Sequence, residues 1–169
     1  MRPAVTVALF ALLLAAGGCD TDPTETPLPT RDELLDMFGP QPPGEAEVRE
    51  TGNRPQSYQA EAVHYTVVNV GSESTSALFI VDIDGPDAFI SLSCEGVRGD
   101  TLRAGDALDV SVTYGGRGDG GRGSGWLYVT GAEGGRIEGV FAGDLNGSGL
   151  ISLDWRVAGA FHATLDPRE

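Results

Sequence analysis

The sequence predicts an all-β domain, an antiparallel β-sandwich of about eight strands, preceded by a short helix on a tether. Three observations carry this expectation. From Tyr58 onward, apolar residues return at every second position in stretches of six to thirteen residues, the period of a half-buried strand. Each stretch is bounded by Gly, Pro, Asp or Asn, whose backbone freedom and short polar side chains make turns. No helical period of useful length runs through the same region, and a small barrel is the alternative arrangement of such strands.

The chain opens with "MRPAVTVALFALLLAAGGCD". Its apolar run, Ala4 to Ala16, is shorter than the ~20 residues that span a bilayer, so it reads as a cleaved secretory segment. The small residues before Cys19 resemble the lipobox of bacterial lipoproteins, with Ala16 where a Leu is commonest and the nearest Leu at Leu14. That resemblance implies that residues 1–18 are a lipoprotein signal peptide and that Cys19 is acylated as the first mature residue. The protein is then exported and held at the bacterial cell envelope, its contact with membrane made through lipid on Cys19. Acyl chains contribute about 0.8 kcal/mol per buried methylene, so several anchor a chain whose protein part touches no lipid. An ordinary cleaved signal is the alternative. Asp20 resembles the inner-membrane retention signal of enteric bacteria, which other bacteria do not all read, so the leaflet stays open.

Residues 19–30, with "DTDPTETPLPT" after the cysteine, have too little apolar content to bury and read as a disordered tether. Residues 31–38 follow as a short amphipathic helix. Thr30 and Glu33 have capping-box spacing, Asp32 and Glu33 suit the positive end of the helix dipole, and Gly39 with Pro40 ends it. Leu34, Leu35 and Phe38 share a face that must dock, since a helix this short is marginal alone. Its partner is either the chain's own domain or a groove on another protein. Residues 39–56 read as a linker, and residues 57–169 as the β-domain.

Within that domain the expected strands are Tyr58–Val70, Ser76–Ile83, Ala88–Cys94, Ala107–Tyr114, Gly125–Gly131, Arg136–Leu145, Leu150–Val157 and Ala160–Leu165. "GGRGDGGRGSG", from Gly115 to Gly125, reads as a flexible low-complexity connection. The turns Asn69 and Gly71, Gly85 through Phe89, and Ala104 with Gly105, followed by Val110 and Val112, resemble ASPM-SPD-2-Hydin or choice-of-anchor D modules. The resemblance covers about 65 residues, from Tyr65 to Gly131. It implies an Ig-like binding or spacer module on an exported protein, with no catalytic residues to carry over. Bacterial members often place a second cysteine where this chain has Leu108, so their disulfide is missing.

The whole chain carries a formal charge of −14, and losing residues 1–18 removes only Arg2, leaving −15. Such a field repels phosphate backbones, which argues against nucleic-acid binding, and it also keeps a surface protein soluble. All eleven basic residues are Arg, a composition signature of a GC-rich genome. Cys94 is the one cysteine after Cys19, so no internal disulfide forms; it alternates with Ile90 and Leu92 and reads as a buried, inert thiol.

No catalytic set emerges. His64 and His162 lack metal-ligand spacing, no Gly-x-Ser-x-Gly elbow surrounds Ser124 or Ser148, and the Gly-rich run lacks the Lys and Ser/Thr of a P-loop. The sequence therefore assigns no catalytic, cofactor-binding or metal residue. "RGD" at Arg117–Asp119 reads as a chance tripeptide. Asp82, Asp84 and Asp87 read as a solvated turn, with calcium as the sharper alternative. In "GDLNGSGLISLDW", Asp144, Asn146 and Ser148 match positions 1, 3 and 5 of a calcium loop, but position 12 is Trp155 and the flanks alternate as strands. Asn146-Gly147 reads instead as a hairpin turn.

The expected function is a lipid-anchored, extracytoplasmic, non-enzymatic interaction or structural module with a possible protein partner. One rival is a calcium-dependent adhesion or ligand-binding protein using Asp144 or Asp82. A second is a carboxylate-based hydrolase, which needs acids from separate strands to meet in a cleft with an aromatic such as Trp126 or Trp155.

Overall fold

The computed structural model describes residues 27–52, 55–70, 76–97, 101–116, 119–147 and 154–165. Helix α1 (Arg31–Met37) forms where its cap predicts. Thr30 Oγ1 accepts the Glu33 N–H at 3.4 Å, and Glu33 Oε2 accepts the Thr30 N–H at 2.7 Å. The reciprocal pair satisfies two N–H groups that the first turn otherwise leaves bare.

The described strands are β1 (Ala46–Thr51), β2 (Gln56–Ala60), β3 (Ala62–Val70), β4 (Ser76–Asp84), β5 (Ala88–Glu95), β6 (Ala107–Gly116), β7 (Asp119–Glu133), β8 (Arg136–Gly147) and β9 (Asp154–Leu165). From β3 to β9 each strand pairs antiparallel with the next, and β9 returns to β3. Seven strands in up-and-down order leave the first and last pointing the same way. The closing seam is accordingly parallel, at His64↔Thr164 and Tyr65↔Leu165. β1 pairs with the rest of that β9 edge, residues 156–161, and β2 pairs with β1.

The Ig-like β-sandwich expected from the sequence is thus corrected to a closed seven-stranded barrel with two extra strands. Alternation sets which side chains face inward, and a sandwich and a barrel share it. Glycines at inward positions of β7 allow the tight curvature a ring needs. Gly121, Gly123 and Gly125 stand in register with the inward Tyr114, Val112 and Val110 of β6. A Cβ on Gly123 would strike the Asp144 carbonyl, and one on Gly125 the Ala142 carbonyl. The run read as a flexible connection is therefore mostly strand, and its missing side chains let β7 and β8 coil closely.

Other expectations shift in the same way. β1 lies inside the stretch read as linker, and the long first strand breaks at Glu61 into β2 and β3. The two last strands are one, β9. A hairpin does join β8 to β9, but Asn146 pairs with Asp154, so Asn146-Gly147 is not a two-residue turn. Between β7 and β8 there is one: Gly134 and Gly135 have φ of 60° and 74° and separate the paired Glu133 and Arg136, the backbone of a primed hairpin turn.

Inside the ring the core is Val63, Phe79, Val81, Ile83, Ile90, Leu92, Val110, Val112, Leu127, Val129, Phe141, Leu145, Val157 and Phe161, with their neighbours. A second cluster lies on the outer wall, where Leu34 and Phe38 of the α1 segment cover Val140, Ala142 and Ala160. This is why residues 139–143 of β8 are buried without alternation: both faces are covered. Leu35 is 38% exposed, so the helix docks on its own domain through Leu34 and Phe38. Arg31 caps the contact over Tyr128, 4.1 Å from its ring centre, and Arg49 lies 4.9 Å over Phe38.

Candidate functional site

Two places on the barrel concentrate polar chemistry. The first is a groove of about 690 Å³ on the outer wall, lined by Leu28, Leu78, Ser93, Glu95, Asp109, Ser111, Ser124, Trp126 and Asp144. Its floor follows from register. Ser93 pairs with Ser111, Ser111 with Ser124, Ser124 with Asp144, and Asp144 with Arg156. With strands about 4.8 Å apart, Ser93 to Asp144 spans roughly 14 Å. Three serines where a wall usually carries bulkier side chains leave a trough of hydroxyls, and Asp109 beside Trp126 forms its flank.

Leu28, just before α1, closes one side of the groove and also packs on the outer cluster with Trp126. Arg156 fixes that corner: its Nε donates to Asp144 Oδ1 at 2.6 Å and its Nη1 to the Pro27 carbonyl at 3.4 Å. The groove therefore combines an aromatic, three acids and three hydroxyls, the composition a carboxylate hydrolase requires. Its geometry is less suited to one. Glu95 and Asp109 are exposed, the Asp144 side chain is 52% exposed and already engaged by Arg156, and nothing among the described residues shuts water out.

The second place is at the end of the barrel where β1 and β2 pack. Glu50 is only 7% exposed. Its Oε1 and the Tyr58 hydroxyl are both inaccessible and have no hydrogen-bond partner. Burial raises the Glu50 carboxyl above the ordinary carboxylate range, while Gln56, Tyr58 and Tyr114 lie close enough to oppose this in part. Burial likewise raises the Tyr58 phenol, and the nearby Glu50 charge and Tyr114 add to it. Trp155 stands edge-on to Tyr114, with ring centres 5.6 Å apart. Sequence reasoning missed Glu50, because a lone Glu in a presumed linker carries no signal.

The residues singled out from the sequence are dispersed. Asp82 and Asp84 are exposed on β4, and Asp144 lies on β8, so the two proposed calcium clusters do not meet. Among the described residues no three His, Cys, Asp or Glu side chains converge as metal ligands. His64 is half-buried, its Nδ1 3.3 Å from Thr164 Oγ1. His162 is buried, its Nδ1 3.1 Å from the Gln41 carbonyl; a carbonyl only accepts, so Nδ1 carries the proton. Cys94 is free and half-buried against the core; burial, then Asp109 and Glu95, push its thiol up. Cys19, Arg117, Gly118 and Ser148 lie outside the described residues.

No protein-family model, curated protein or solved structure matches this chain. Among the described residues no helix is long and apolar enough to cross a membrane.

Proposed function

We propose that the chain is a lipid-anchored, extracytoplasmic module that does no chemistry and engages a neutral or basic partner through the outer-wall groove. The observation that carries this reading is Leu28: a residue two positions before the helix cap Thr30 is itself a wall of the groove. If Cys19 is the acylated residue, eight residue-to-residue steps lead from it to Pro27, a reach of at most about 29 Å. The groove then stays close to the membrane surface, on the side where the tether leaves. The acids in it, together with the charge of −14, favour uncharged or cationic groups and oppose anionic ones.

The test has two arms. Expressed in a bacterium with lipoprotein processing, the chain should fractionate with membrane and yield an acylated N-terminal Cys19 by mass spectrometry, and Cys19→Ser should abolish both. A soluble, unacylated wild-type product ends the anchor. A photocrosslinking side chain at Ser111 should give an adduct that Trp126→Ala removes, whereas one at Asp82, elsewhere on the outer wall, should give none. Equal adducts at both positions would show that the groove is not the contact face.

A further inference from the structure

The β1–β2 hairpin sits over the parallel seam of the barrel. β3 meets β9 only at Thr164 and Leu165, and β1 occupies the remaining edge of β9 from Arg156 to Phe161. β2 is the end of the sheet order and pairs with β1 alone. The hairpin is therefore held by one ladder, by an inner face on which Ala46, Val48 and Ala60 are apolar and fully buried, and by Arg49 of the outer face, which lies over Phe38. Glu50 occupies the next inward position of the inner face.

A carboxyl at that position makes the contact conditional. The groups that act on Glu50 are Gln56 and Tyr58 of β2 and Tyr114 of β6, and its partner across the ladder on β9 is Val157. None of these is basic. Glu50 Oε1 and the Tyr58 hydroxyl are inaccessible to water and find no partner of good hydrogen-bond geometry, although Gln56, Tyr58 and Tyr114 crowd the carboxyl, so the closed hairpin leaves two polar oxygens poorly satisfied that release would return to water. A neutral carboxyl tolerates such surroundings far better than a carboxylate.

We propose that the β1–β2 hairpin is a proton-sensitive latch over the barrel seam, closed while Glu50 is neutral and loosened when Glu50 ionises. Loosening bares the β9 edge from residue 156 to residue 161, a row of backbone donors and acceptors of the kind that accepts an added strand. The upward push that burial exerts on the Glu50 carboxyl fits this direction. By linkage, the opening constant rises as much as tenfold per pH unit between the ordinary Glu range and the raised value, and is flat outside that window.

Hydrogen exchange on the full chain from pH 4.5 to 7.5, expressed as protection factors, tests it. In the wild type, β1 amides should lose protection progressively with rising pH, while β7 and β8 amides keep theirs. Glu50→Gln should make β1 protection independent of pH, and Glu50→Met serves the same purpose if the amide variant does not fold. A β1 protection that ignores pH in the wild type overturns the latch. So does a slope that survives in the Glu50 variants, or a loss shared equally by β7 and β8, which would report unfolding of the whole barrel.

Discussion

Glu50 is a charged residue type at an inward position of a strand, and its effect on stability has an unusual sign. Its folded pKa lies above the ordinary 4.5, so the folded chain holds the proton more tightly than the unfolded chain. Stability is therefore lost as pH rises from the ordinary value through the raised one, the reverse of a salt-bridged carboxylate. Relative to wild type, Glu50→Gln should gain melting temperature between pH 4 and pH 7.5. An unbonded buried group costs about 1–3 kcal/mol, and each kcal/mol is worth roughly 2–4 °C at this size; a difference that does not widen with pH would contradict the assignment. Cys94 gives a second residue-scale expectation. With its thiol pushed up by burial and by two acids, alkylation at neutral pH should be much slower in the native protein than after unfolding. Equal rates would mean that the core does not cover it.

At the scale of elements, the glycines of β7 carry more of the fold than their composition suggests. Gly121, Gly123 and Gly125 alternate with Arg122 and Ser124, a period of two that marks a strand as clearly as alternating valines would. Gly123→Ala places a methyl against the β8 backbone at Asp144 and should cost about 1–3 kcal/mol in thermal melts. Gly39→Ala, with nothing within 4 Å of its Cβ, should stay within about 0.5 kcal/mol. Equal costs would mean that β7 and β8 are not so closely apposed. Much of this level was legible: β4, β5 and β6 begin where alternation places them, and α1 follows its capping box. β1 was hidden because Glu50 interrupts the apolar period of Ala46 and Val48. The same residue that conceals the strand makes its packing pH-sensitive. The groove left no trace in the sequence, since its floor is three serines on three strands that only register aligns.

For the whole molecule, ring closure joins β3 to β9 across about a hundred residues of chain, and nothing local in the sequence announces that pairing. Folds dominated by such non-local contacts form slowly, in about milliseconds to seconds, and as a unit. The α1 helix stands outside the ring and, at seven residues, has little stability of its own. The two tryptophans separate these bodies. Trp155 packs against the inner core and Tyr114, whereas Trp126 packs on the outer wall with the cluster of Leu34 and Phe38. A chain with Trp126→Phe therefore reports the barrel, and one with Trp155→Phe reports helix docking. In the parent background the two fluorescence transitions should coincide in denaturant, because the helix buries Leu34 on a wall that exists only in the closed ring. Leu34→Ala removes about 2–5 kcal/mol of packing, more than so short a helix can lose and stay docked. The Trp126 transition should then move to lower denaturant while that of Trp155 holds its midpoint; if both moved together, helix and barrel would be one cooperative unit, and the tether's end would be part of the fold itself.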